Sequence, residues 1–397
     1  VTRFEPNLRI PGPTPLPPSV REAGGRQMIN HRGPEFAALV RGIVEGMRPY
    51  FGTSGEIAIL SCAGTGGLEA AIVNVLSPGD AVLGVSIGAF GDRFASIAET
   101  YGARVDRMTA EWGWAAAPEE VREHLGRADY RAVLVTHNET STGVMNPLLE
   151  LIATIRAAAP DALVLVDSVS ALGAVPFEMD AWGADVVVTG SQKAWMAAPG
   201  MAMIAASDRA WAQMETARMP RFYLDLLRHR KSLANGETPW TPAMAVAYQV
   251  AEGLRLMHEE GREAVFARHE ACAAATRAGL EGLGFELFAE PAHRSRTVTA
   301  ARIPEGLDWK AFNAALRARG TVIAGGQGKL AGKVFRVGHL GEVSVDDILG
   351  LMATLEEVSL EFGREVEPGR AVAEAERAAV AAHGVAAGAS AGAAARQ

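Results

Sequence analysis

Cysteine is nearly absent: only Cys62 and Cys272 occur in 397 residues. At most one disulfide can form, and no Cys-x-x-Cys or Cys/His spacing offers a zinc site. A disulfide-stapled secreted scaffold is excluded, and a reducing, cytoplasmic setting is expected. A basic excess is also missing. The net charge is −8, so no basic stripe marks a nucleic-acid surface. No apolar run reaches the roughly 18 residues that suggest a membrane span. Val1–Ile10 mixes charged and apolar residues without the apolar centre of a secretory signal. No repeat of solenoid period is present. Small anions stay open as ligands, because backbone N–H groups can cradle them whatever the net charge.

What is present is a globular composition, 49% hydrophobic and 21% charged. The length exceeds what one core usually fills, so a large domain with a smaller one is expected. Residues 1–20 read as an arm, because the prolines of Pro11–Pro18 forbid helix. From Glu56 onward short apolar runs alternate with helical stretches. Strands are expected at Glu56–Leu60, Ala81–Val85, Ala132–Thr136, Leu163–Val166, Asp185–Thr189 and Met201–Ala205. Their near-continuous apolar character predicts burial on both faces, hence a doubly wound, mostly parallel α/β sheet. That large domain is expected over 21–258. A smaller α+β domain follows over 259–363, with strands at Thr297–Ile303 and Val334–Val337 and helices at Trp309–Ala318 and Val345–Phe362. The alanine- and glycine-rich tail, 364–397, reads as largely disordered, with a frayed helix over part of it as the alternative.

Four features fall at or near strand ends, where open α/β sheets bind ligands. Ser61-Cys62-Ala63-Gly64-Thr65-Gly66-Gly67 joins a strand to a helix. Small residues and free helix N–H groups there suit a phosphate, although an ordinary tight turn reads the same way. Asp167 ends a buried strand; it can hold a cofactor ring nitrogen or cap the next turn. Lys193 follows another buried strand. Desolvation makes such a lysine a nucleophile toward carbonyls, against the common reading of a surface lysine. Arg336 lies inside a small-domain strand and can fork onto a carboxylate or form a structural ion pair. Gly325-Gly326-Gln327-Gly328-Lys329 is not a P-loop, since no serine or threonine follows the lysine.

In this order the features are far more specific than singly. The sequence resembles the class V, fold type I, pyridoxal 5'-phosphate (PLP) aminotransferases, in particular serine–glyoxylate and alanine–glyoxylate aminotransferases. The resemblance runs from about Leu8 to Phe362. Its motifs are Pro11-Gly12-Pro13, Asn30-His31-Arg32-Gly33-Pro34, Gly64-Thr65-Gly66, His137-Asn138-Glu139-Thr140-Ser141-Thr142-Gly143, Val166-Asp167-Ser168-Val169-Ser170, Gly190-Ser191-Gln192-Lys193, Thr238-Pro239-Trp240-Thr241-Pro242 and Gly332–Gly341. The serine–glyoxylate branch is the nearer of the two.

The resemblance implies a fold type I PLP-transferase in which Lys193 holds the cofactor through an imine and Asp167 pairs with its ring nitrogen. It further implies that Ala63, Gly64, Thr65 and Gln192 meet the phosphate, with Thr241 arriving from a partner subunit of a homodimer or tetramer. Thr140 is expected near the ring hydroxyl and Val169 on one ring face. Arg336 is expected on the substrate carboxylate, with Gly12 and Arg32 nearby. Phe90 departs from the pattern, standing where a stacking tryptophan is frequent, and that leaves the amino donor open. The implied reaction is ping-pong transfer from serine or alanine to glyoxylate or pyruvate. An aminoethylphosphonate–pyruvate type of transaminase and a non-catalytic assembly or regulatory subunit are the alternatives. Cysteine desulfurase shares the fold, but Cys62 and Cys272 read as buried apolar residues. Trp195 is expected against the sheet, Trp112 and Trp114 in a turn, His137 as a buttress for Glu139 and Thr140, and His269 as a solvated helix residue.

Overall fold

The computed structural model describes residues 5–394. The chain opens with β1 (Asn7–Arg9) and runs without helix or strand through the prolines to Pro17. Then follow β2 (Ile57–Leu60), β3 (Ala81–Ser86), β4 (Arg104–Thr109) and β5 (Ala132–Thr136). A short hairpin, β6 (Asn138–Glu139) and β7 (Val144–Met145), precedes β8 (Leu163–Asp167), β9 (Val186–Gly190) and β10 (Ala202–Ala206). Seven of these form one sheet in the order β2-β10-β9-β8-β5-β3-β4. All pairs are parallel except those of β10, which runs against both β2 and β9. β2 is thus aligned with β9, and the C-terminal ends of β2, β3, β5, β8 and β9 share one edge of the sheet.

The apolar runs explain this sheet. Val133, Val135, Val164, Val166 and Val187 enter one core, while Leu134, Leu163, Leu165, Val186 and Val188 enter the other. Both faces are covered by helices, so no polar alternation survives. Gly67 lets the helix Gly64–Val75 sit close to the sheet, because a Cβ there would meet Val188 Cγ1 at 2.7 Å. β5 takes the expected bounds, and the other expected strands of this sheet shift by a residue or so. β4 lies outside the expectation. It is an edge strand whose side chains are mostly half-exposed, so it needs no apolar run.

The smaller domain carries β11 (Val298–Arg302), β12 (Thr321–Gly325) and β13 (Val334–Gly338). The order is β1-β12-β13-β11, so the N-terminal strand completes this sheet by pairing in parallel with β12. Phe312, Phe335, Leu351 and Leu355 pack beneath it. The arm then passes Gly338, where a Cβ would strike the Ile10 carbonyl. It ends on the loop after β9. There the Thr14 hydroxyl donates to the Lys193 carbonyl at 3.0 Å, and the Thr14 amide donates to the Gln192 carbonyl at 3.1 Å.

The tail corrects the expectation of disorder. Arg370–Ala394 is a helix, and Ala371, Ala375 and Ala379 are buried in the small-domain core. Spacing of four puts them on one helix face, against the helix Arg262–Gly282: a Cβ at Gly282 would lie 3.4 Å from Ala371 Cα. Alanine has the highest helix propensity, and small residues on both helices let the backbones approach. The composition that reads as low complexity is a packing surface. No helix among the described residues is long and apolar enough to cross a membrane.

Candidate active site

The shared strand edge gathers the site. Lys193 lies three residues beyond β9, in a loop pinned by the Ser191 hydroxyl, which donates to the Ala198 carbonyl at 2.6 Å. The Lys193 amine donates to the Pro11 carbonyl of the arm. Gly12 stands directly beside it with φ +135°, and a Cβ there would lie 2.5 Å from Nζ. Both the backbone angle and the contact require glycine. Loss of hydration pushes the Lys193 ammonium down to about 8, and the nearby Arg336 charge adds to this while Asp167 opposes it.

Asp167 ends β8 and is buried. Its Oδ1 accepts the Val169 N–H at 3.0 Å, and no protein group among the described residues bonds Oδ2. Burial raises its carboxyl to about 6. Glu139 adds to the rise, while the Val169 N–H, Lys193 and Arg93 oppose it. Beyond β2, Ala63 is the N-cap of the helix Gly64–Val75 and supplies no side-chain oxygen, so the first-turn N–H groups lack a capping partner. Gln192 Oε1 is also buried without a partner. Val169 leans over this corner, its Cγ2 3.0 Å from where a Gly64 Cβ would stand. Bare helix amides, an orphaned buried amide and a half-bonded carboxyl behind a desolvated amine fit a phosphorylated pyridine aldehyde.

Phe90 lies in the first turn of the helix Ala89–Thr100 beyond β3. Its N–H and that of Gly91 donate to Glu139 Oε2 at 3.0 and 3.1 Å. The other oxygen of Glu139 accepts the Ser141 hydroxyl at 2.6 Å and its amide at 3.1 Å. Glu139 is wholly buried, and burial raises its carboxyl against those four donors. The Arg93 guanidinium lies 4.8 Å from the Phe90 ring centre.

Arg336, on β13, is largely spent within the protein. Nε donates to the Gly325 carbonyl at 2.9 Å, and Nη1 donates to the Thr140 carbonyl at 3.0 Å and Gln327 Oε1 at 3.3 Å. Nη2 has no protein acceptor among the described residues. The two-bond fork expected on a carboxylate therefore needs Gly325 or Gln327 to yield. A cavity of about 270 Å³ joins Gly12, Phe90, Thr140, Lys193 and Arg336.

Of the other expected residues, Ala63, Gly64, Thr65, Asp167, Val169 and Gln192 stand at the strand ends outside the lining of that cavity, and Arg32 and Thr241 lie apart from it as well. Arg32 is exposed and bonds Glu237 at 2.8 Å and the Thr238 carbonyl at 2.7 Å, because that acid and carbonyl are its nearest acceptors. It braces the segment that carries Thr241. Thr241 is exposed beside Trp240, which stacks on Phe222 and Tyr223. His137 does not buttress Glu139: its ring nitrogen shares a hydrogen with the Ser168 hydroxyl at 3.0 Å, beside Asp167. His269 is buried rather than solvated, and its Nε2 accepts the Gly341 N–H at 3.1 Å. Trp195 is buried under the sheet, as expected, with its indole N–H on Thr189 Oγ1 at 3.0 Å. Burial pushes both thiols up to about 12, which suits structural cysteines. Asn313, Arg317 and Gln327 also line the cavity. Only Gln327 lay in a segment that the sequence singled out.

The family profile "Aminotransferase class-V" matches residues 19–344. A protein of Synechococcus sp. (strain PCC 6716) named soluble hydrogenase, small subunit, is 40% identical over 93% of this chain and 97% of its own. The L-aspartate–glyoxylate aminotransferase of Paracoccus denitrificans is 37% identical over 92% and 94%, and the serine–glyoxylate aminotransferase of Methylorubrum extorquens 36% over 93% and 94%. The ureidoglycine–glyoxylate aminotransferase structure from Bacillus subtilis superposes with a TM-score of 0.89 at 30% identity, over 95% of this chain and 99% of the other. The chain belongs to the class V aminotransferases of fold type I, enzymes that work with pyridoxal 5'-phosphate.

Proposed function

We propose that this aminotransferase moves the amino group of a small L-amino acid, serine or alanine, to glyoxylate or pyruvate in a ping-pong cycle. The observation that carries the reading is the desolvated Lys193 amine, held at about 8 on a cavity that also contains Arg336. When bound, PLP supplies an aldehyde that takes up amino groups and a ring that accepts the electrons released at Cα. Lys193 would anchor it, and its amine would move the proton at the substrate Cα as general base and then acid. Asp167 holds the proton on the ring nitrogen through its free oxygen. The amides of Ala63, Gly64 and Thr65, with Gln192, hold the phosphate. Phe90 and Val169 would flank the ring, Thr140 would lie toward its hydroxyl, and Arg336 Nη2 would take the substrate carboxylate beside Gly12. Glyoxylate as acceptor is supported by the names of three relatives.

A homodimer belongs to this reading. Thr241 is exposed, makes no side-chain hydrogen bond among the described residues and stands in a segment braced by Arg32. In a dimer it would reach the phosphate of the partner chain. A second reading, a subunit of a larger assembly, has the name of the Synechococcus relative in its favour. Lys193 and Arg336 on one cavity, with Asp167 at the end of the strand beside β9, speak for catalysis, since an assembly subunit has little need of a desolvated lysine.

Borohydride reduction of the holoenzyme followed by peptide mapping tests the proposal. The label is expected on Lys193, and Lys193→Ala is expected to lose both label and conversion of glyoxylate to glycine with L-serine or L-alanine. A label on another lysine overturns the assignment.

A further inference from the structure

Under the function proposed above, Arg336 offers two parallel N–H groups to a carboxylate, and the protein already occupies most of them. Nε donates to the Gly325 carbonyl at 2.9 Å. Nη1 carries two N–H groups and meets two acceptors, the Thr140 carbonyl at 3.0 Å and Gln327 Oε1 at 3.3 Å. A fork through Nε and Nη2 requires the Gly325 carbonyl to leave. A fork through Nη1 and Nη2 requires Gln327 to leave.

These two acceptors are not equally able to move. Gly325 closes β12 and pairs with Phe335 of β13. The next residue, Gly326, is packed so tightly that a Cβ there would strike the Leu330 carbonyl. Gln327 meets Arg336 through a flexible, uncharged side chain, and 3.3 Å is longer than the roughly 2.7–3.2 Å usual for an N–H···O bond. Its backbone, by contrast, is anchored. The Leu330 N–H donates to the Gln327 carbonyl at 3.0 Å. Gly328, at φ +55°, stands against Trp112 of the large domain, and Lys329 Nζ lies 5.2 Å from the centre of that indole ring. The Gln327 amide can therefore turn while its main chain stays in place. Its Nε2 has no protein acceptor among the described residues, and Gln327 lines the same cavity as Lys193 and Arg336.

We infer that Gln327 is a second binding residue for the substrate carboxylate, the resting partner of Arg336 that exchanges places with the substrate. The reading rests on the role proposed for Arg336. When a carboxylate arrives, Oε1 withdraws from Nη1, and Nη1 and Nη2 close on the carboxylate as a fork. The amide then turns so that Nε2 donates to the same carboxylate. One side chain passes from acceptor to donor. A glutamate cannot do this: ionised, it holds Arg336 in a lasting ion pair and repels the incoming anion. Amino acid and oxo acid meet the same exchange, because each carries a carboxylate next to the reacting carbon.

Two measurements on the PLP-loaded enzyme test this. The first is the steady-state kinetics of L-alanine with glyoxylate. The second is ligand-observed NMR of propanoate, an alanine skeleton without the amino group. Gln327→Glu is expected to raise KM for both substrates, and to weaken propanoate, by about tenfold or more, the scale of a lost charge-assisted hydrogen bond. Gln327→Ala loses the donor but frees Nη1, so a rise of about threefold is expected. In both variants kcat should change less than KM, and the apoprotein should take up PLP with native affinity, which a disturbed fold would not allow. Native KM values and native propanoate binding in Gln327→Glu overturn the exchange, as does a joint loss of kcat and PLP affinity. A KM that falls in Gln327→Ala overturns it too, since the amide would then only compete. The two readings fail separately. Propanoate binding that depends on Gln327 without turnover of any amino acid would remove the transamination and keep the carboxylate site. Turnover of L-alanine with KM indifferent to Gln327 would do the reverse.

Discussion

Lys193 and Asp167 are drawn toward each other from opposite ends of the pH scale. Burial brings the ammonium down to about 8 and the carboxyl up to about 6, and each group limits the shift of the other. Only the uncharged amine attacks an aldehyde. Uptake of PLP by the apoprotein, read as growth of visible absorbance, is therefore expected to rise with pH through about 8. In Asp167→Asn the opposing carboxylate is gone, so the midpoint should move to lower pH. A midpoint that stays in place or rises would show that the two groups do not interact. Both residues were legible in the sequence because each follows a strand buried on both faces, where a charge has no bland place to go. Glu139 was legible only as part of a motif. Its work comes from contact with the amides of Phe90 and Gly91, nearly fifty residues earlier in the chain. Arg317 and Asn313 gave no signal, because they meet the cavity only after the small domain has packed across the end of the large sheet.

At the scale of the element, the C-terminal helix carries the clearest test. Ala375 is buried against the small-domain core, whereas Val380, further along the same helix, is exposed. Ala375→Glu buries an unpaired carboxylate and is expected to cost about 2–4 kcal/mol. Val380→Glu should stay within about 0.5 kcal/mol. Urea midpoints that fall equally for both would contradict the packing. This helix also marks where reading by composition stops. Alanine-rich sequence has strong helix propensity, but whether such a helix folds depends on a partner surface, and Gly279 and Gly282 lie about a hundred residues away. The central strands were readable because double burial demands unbroken apolar runs. β4, a polar edge strand, and β1, three residues that pair with β12 across most of the chain, obey no such demand.

Across the whole molecule, buried histidines set the response to acid. Burial depresses His137, His269 and His339 to about 3 and His229 to about 4. An unfolded chain protonates histidine near ~6.5. Between those values the unfolded state binds more protons, so stability is full above ~6.5 and declines as pH falls toward 3. At pH 5 each histidine withdraws about 2 kcal/mol. Asp167 and Glu139 work in the other direction, since their raised carboxyls relieve a penalty on protonation, but they are fewer. Urea midpoints are expected to drop between pH 7 and pH 5, and His339→Asn should narrow that drop. Equal midpoints at the two pH values would count against it.

The N-terminal arm links these scales. Its strand belongs to the small sheet, while Thr14 grips the backbone of Gln192 and Lys193 at the end of the large one. The cavity lies between walls that belong to different domains, so any widening of its mouth pulls on this tether. One length of chain therefore sets the spacing between the edge of the small sheet and the loop that carries the Lys193 amine.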